Sequence, residues 1–106
     1  MNLSELYKKL NLLDIPVFYR VSNKKASPPY IAYYCNSENH RGSDFSNEIT
    51  EGEIFIELYT KGKDIKLEKN LEEILGFTHF EKEEYLISDE KTFMIVYSFN
   101  FITKEK

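Results

Sequence analysis

The stretch Glu53-Ile54-Phe55-Ile56-Glu57-Leu58-Tyr59-Thr60 alternates apolar and polar or aromatic residues, passes through Lys61-Gly62-Lys63-Asp64, and continues as Ile65-Lys66-Leu67-Glu68-Lys69-Asn70-Leu71-Glu72-Glu73-Ile74-Leu75. A period of two gives way to a period of 3.6, with a capping aspartate at the junction. That change marks a strand running directly into an amphipathic helix, the unit of an α+β domain. In the helix Leu67, Leu71, Ile74 and Leu75 form the stripe to be buried, and Lys69 and Glu73 form an i,i+4 pair. Glu68, Glu72 and Glu73 are assigned to the solvent face, and Gly76 to the position just past the helix.

Toward the N-terminus the strand is expected to begin near Glu48, with Gly52 as a place where it can break or bulge. Before it, Asn36 to Asn47 is polar except for Phe45 and reads as an irregular loop of about twelve residues, a length that is often functional. Tyr30 to Cys35 has high β propensity and apolar residues on both faces, which suits an interior strand. The polar segment Ser22 to Pro29 leads into it from a short strand in which Val17, Tyr19 and Val21 alternate with Phe18 and Arg20. A first helix spans residues 3–13, with Asn2 and Glu5 as a capping box and Leu3, Leu6, Tyr7, Leu10 and Leu13 on one stripe. Asp14-Ile15-Pro16 stops it.

Toward the C-terminus a hairpin is expected from Phe77 to Ile87, a turn at Ser88 to Lys91, and a strand from Thr92 to Ile102, before a frayed tail at 103–106. The order is α-β-β-β-α-β-β. The expected architecture is one α+β domain over residues 1–106, an antiparallel or mixed sheet with two helices packed on one face.

The 106 residues include 42% hydrophobic and 30% charged side chains, the balance of a globular chain. No apolar N-terminal segment or run of membrane-spanning length is present, so a soluble, unexported protein is expected. The single Cys35 fits a reducing compartment. A net charge of −4 argues against a protein whose main partner is nucleic acid, and the lysines at Lys24, Lys25, Lys61, Lys63, Lys66 and Lys69 read as solvated faces.

The supply of catalytic groups is thin. His40, His79 and Cys35 do not pair with one another or with carboxylates at catalytic or ligand spacing, and the four glycines stand apart at turns and helix ends. Glu81, Glu83 and Glu84 lack the further oxygen ligands of a cation site and read as a hairpin edge. No catalytic residue, cofactor or metal is expected, and the chain is read as a non-enzyme.

The excess is aromatic: eight Tyr, eight Phe and no Trp. Phe93, Ile95, Tyr97, Phe99 and Phe101 line one face of the C-terminal strand, and Met94, Val96 and Ile102 the other. Two short helices cannot cover both faces of such a sheet, so one face is expected to close on itself or to meet another subunit. Tyr30, Tyr34, Tyr59, Tyr97 and Phe99 are the expected oligomer contacts.

Several landmarks occur in order: Ile15-Pro16-Val17; Pro28-Pro29-Tyr30-Ile31 with Tyr33-Tyr34; Ile56 to Lys61 with Asp64; Leu67-Glu68 and Leu71-Glu72; and Glu81 to Ile87 with Glu90-Lys91 and Tyr97. As a set they resemble the small tail-completion, or tail terminator, proteins that join tail to head in long-tailed phages and prophages of Gram-positive bacteria. The resemblance spans nearly the whole chain. It implies a subunit that can be monomeric when free and that forms a hexameric ring on the head-proximal end of the tail tube, stops polymerisation and presents a surface to the head connector. It also implies a place in the virion at the head–tail junction, after assembly in the host cytoplasm. The family's central loop carries Ser-Asn and Ala-Asp elements flanked by aromatics, to which only Ser37, Asn39, Asp44 and Phe45 correspond here. With their neighbours they give Asn39, His40, Arg41, Asp44 and Phe45 as the expected partner contacts. An acidic ring would let DNA slide through without specific binding. The alternatives are a head-completion or connector protein of the same particle, and a small regulatory protein-binding module.

Overall fold

A computed structural model describes residues 3–20, 27–41, 49–87 and 91–104, with side chains at 3–20, 27–36, 52–87 and 91–100. The elements are α1 (Leu3–Leu10), continued by a 3-10 turn over Asn11–Leu13, β1 (Val17–Tyr19), β2 (Tyr30–Arg41), β3 (Ile49–Lys61), α2 (Ile65–Ile74), β4 (Glu81–Ile87) and β5 (Thr92–Lys104). The α+β class and the element order are those expected. The cap at Asn2, Val21 and the loop to Ala26, the turn at 88–90, and Glu105 and Lys106 lie outside the described residues.

The first helix ends where Asp14 turns left-handed at φ 60° and donates its N–H to the Asn11 carbonyl at 3.2 Å. Pro16 cannot continue a helix, and its carbonyl instead accepts from Ile31 N–H at 2.9 Å. That bond sets β1 parallel to β2, with Val17 opposite Ile31. All other pairings are antiparallel, and the sheet order is β1-β2-β3-β5-β4.

Two expectations about the middle of the chain are corrected. Asn36 to Arg41 is not loop but the second half of β2, paired with β3 through Asn36–Glu53, Ser37–Gly52, Asn39–Glu51, His40–Thr50 and Arg41–Ile49. Polar residues of low β propensity extend because β3 offers them a continuous row of backbone partners, so tertiary pairing overrides local preference. The irregularity expected at Gly52 falls across from it, where Glu38 is the extra residue between Ser37 and Asn39.

The core lies between the sheet and the two helices. Leu6 and Leu10 of α1 and Leu71 and Leu75 at α2 pack on Ile31, Tyr33 and Cys35 of β2, Ile54, Ile56 and Leu58 of β3, and Ile95, Tyr97 and Phe99 of β5. These strand positions alternate in sequence and match across the registers, so they share one sheet face. Asp64 caps α2 by accepting from Leu67 N–H at 3.1 Å. Asp64→Ala should therefore lower stability by about 1 kcal/mol. Urea titrations check this, and Asp64→Asn should behave close to wild type. At the other end Gly76 follows the terminal Leu75, but its φ is not positive, and its N–H bonds the Glu73 carbonyl at 3.1 Å.

Glu68 is the third correction. Expected on the solvent face of α2, it is only 3% exposed. Lys63 Nζ reaches its Oε1 at 3.0 Å and its Oε2 at 2.9 Å, and Lys82 Nζ reaches Oε1 at 3.0 Å. Oε2 is held by charge alone, without a well-directed hydrogen bond. Lys82 also bonds Glu72 at 2.7 Å, and Lys63 bonds Glu84. The long lysine stems bring their ammonium groups in from the strand side, which lets a carboxylate sink under the helix. Burial pushes the Glu68 carboxyl up, but the two lysines overcome it and hold the group below its ordinary range.

Candidate functional site

The opposite face of the sheet is covered by no element among the described residues. Strand parity decides what it carries. Tyr30 stands opposite Tyr59, Ala32 opposite Glu57, Tyr34 opposite Phe55, and Asn36 opposite Glu53 along the β2–β3 ribbon. Phe18 of β1 joins at one side, and Met94 and Val96 of β5 with Tyr85 of β4 at the other. The Tyr30 and Tyr59 rings stack at 4.6 Å and 15°, those of Tyr34 and Phe55 at 5.2 Å and 17°, and Phe18 meets Tyr30 edge-on at 5.9 Å. Such cross-strand pairs stabilise the sheet and line the open face with packed rings.

The surface is also acidic. Tyr59 donates its hydroxyl to Glu57 Oε1 at 2.8 Å, and burial together with that bond pushes the phenol well up. Burial likewise raises Tyr34, with Glu57 and Glu53 adding to it and Arg20 opposing. Both phenols stay protonated at neutral pH and act as hydrogen-bonding apolar groups, not as acids. The chemistry on offer is recognition.

Of the expected oligomer contacts, Tyr30, Tyr34 and Tyr59 share this open face. Tyr97 and Phe99 do not, and their assignment is corrected: they are 0% and 4% exposed beneath the helices. Tyr97 donates to Glu72 at 2.9 Å and its phenol is pushed up, chiefly by burial. Phe99 meets Phe77 edge-on at 5.7 Å. Neither can reach a partner while the domain is folded. Among the expected partner contacts, Asn39, His40 and Arg41 lie within β2, and Asp44 and Phe45 lie outside the described residues. Phe55 and Glu57 were not singled out from sequence. The alternation around them was visible, but the register that sets Phe55 beside Tyr34 was not.

The remaining reactive groups are dispersed. Cys35 is buried, which pushes its thiol up against a smaller opposing effect of Arg20, so it is a poor nucleophile. Glu81 and Glu83 fall on the open side of β4, while Glu84 faces Lys63. Among the described residues no cluster of His, Cys, Asp and Glu could hold a metal ion, and no helix is long and apolar enough to cross a membrane.

No protein-family model matches the chain, and no curated protein does. The fold is similar to that of a chain in the solved virion of a native gene transfer agent particle. The TM-score is 0.62 and the identity 11%, over 94% of this chain and 92% of that one. At that identity the likeness is one of fold, and it extends across the whole domain.

Proposed function

We propose that this protein is a virion structural protein, a tail terminator that closes the head-proximal end of a tail tube as a ring, stops its growth and offers the surface on which the head docks. The observation that carries the reading is the end-to-end likeness of fold to a virion component. The open aromatic face supports it, because an uncovered sheet surface of stacked rings, with carboxylates among and beside them, suits contact with other subunits in an assembly. In this reading the protein performs no covalent chemistry, and its partners are further copies of itself, the tube protein and a head connector.

Tagged protein mixed with tube subunits from the same genome, imaged by negative-stain electron microscopy, tests the proposal. Label confined to one end of tubes whose length has stopped increasing is the expected result. Tubes that grow unlabelled would overturn the terminator reading and turn attention to the head connector.

A further inference from the structure

The two outer surfaces of this two-layer domain differ in charge. On the open sheet face Glu53, Glu57, Glu81 and Glu83 stand among and beside the rings, with Lys61 at one end of β3. The outside of the helices carries Lys8, Lys9, Lys66 and Lys69, two strongly exposed aliphatic residues, Leu12 at 76% and Ile65 at 59%, and Glu5, Glu72 and Glu73. One groove there is lined by Lys9, Leu12, Asn70 and Glu73, and the next by Lys66, Lys69, Asn70, Glu72 and Glu73, so three lysines, two glutamates and Leu12 belong to one continuous surface.

This distribution discriminates between the ways two copies can meet. Sheet against sheet opposes four carboxylates to four carboxylates, whereas helices against helices oppose two surfaces of mixed charge, four lysines with Glu5, Glu72 and Glu73, and gain no complementarity. Sheet against helices brings unlike charges together around an aromatic and aliphatic centre. In size the face lies at the small end for a stable contact. Five strands at about 4.8 Å spacing and the Glu53–Lys61 run at about 3.3 Å per residue give roughly 24 by 26 Å, or about 600 Å². A partner in a stable interface contributes about 800 Å².

We propose that the open sheet face of one copy receives the helix layer of a second copy, with Lys66 and Lys69 set against Glu53 and Glu57. A contact between two different patches leaves one of each unfilled at the ends of the array, so it propagates until it closes. The inference deepens the ring reading by naming the two surfaces each subunit uses, and it is tested on the purified chain alone.

Sedimentation velocity over a concentration series into the millimolar range makes the test. Wild type should self-associate, less so at high salt. E53K/E57K and K66E/K69E should each raise the dissociation constant at least about tenfold. The variant carrying all four changes should recover association, since the charges are then exchanged. Circular dichroism confirms folding, and E81K/E83K on exposed β4 replaces E53K/E57K if that variant does not fold. A wild-type chain that stays monomeric throughout, or folded swap variants without loss and rescue, would overturn the contact. Tube capping by a chain without this contact would leave the terminator reading standing. Association without capping would do the reverse.

Discussion

Tyr97→Ala is expected to destabilise the domain by about 4 kcal/mol, the range for removing a large ring from a packed core. Tyr97 is fully buried on the central part of the sheet, against Phe80 at 5.3 Å, and its hydroxyl is tied to Glu72. For a domain of this size that corresponds to a fall in melting temperature of roughly 15 to 30 °C. Tyr97→Phe, which keeps the ring and gives up only the bond to a half-exposed carboxylate, should lose about 1 kcal/mol. Tyr34→Ala on the open face should be far milder than Tyr97→Ala, because one side of that ring already meets solvent. Urea denaturation of the three variants settles which sheet face the helices cover. If Tyr34→Ala proves the more damaging, the two faces have been assigned the wrong way round.

The second large effect is expected when both lysines around Glu68 are replaced, as in K63M/K82M. A carboxylate that is 3% exposed then keeps its burial and loses its counter-charges, which should cost about 3 kcal/mol at neutral pH. The pH dependence identifies the cause. In wild type the folded pKa of Glu68 lies below the ordinary 4.5, so its contribution is complete above that value and is lost as pH falls through the lowered one. The hydrogen bonds to Glu84 and Glu72 raise Lys63 and Lys82 above 10.5. Their contribution is therefore complete below that value and is lost as pH rises through the raised ones. In the double variant burial alone acts on Glu68 and raises it, so the carboxyl takes up a proton on mild acidification and the penalty shrinks. Stability curves collected at pH 7 and pH 4 should converge. A penalty of equal size at both would mean that lost packing of the lysine stems, not the stranded carboxylate, is responsible.

How far the fold could be read from sequence follows from how local each signal is. The β3–α2 junction was legible because the change of period and the Asp64 cap lie within a dozen residues. The parallel seat of β1, the place of β5 between β3 and β4, and the strand character of Asn36 to Arg41 were not, since each depends on a partner distant in sequence. Glu68 was misplaced for a related reason: the lysines that allow its burial come from the residues before α2 and from β4. The candidate surface was half legible. An aromatic face without cover could be inferred from the number of rings. Which rings it held required knowing that Tyr97 shares its face with Ile56 and that Tyr34 shares its face with Phe55.

The place of β5 between β3 and the edge strand β4 has a consequence for biosynthesis. On the ribosome β4 emerges before the strand that joins it to the rest, and β3 keeps one long edge open until Thr92 to Lys104 has been translated. Until then Ile54, Ile56 and Leu58 have one flank unfilled, where Phe99, Tyr97 and Ile95 will pack. A premature stop within β5 removes an interior strand and leaves β4 without its partner, so truncated chains should be cleared by proteolysis instead of persisting as shortened subunits.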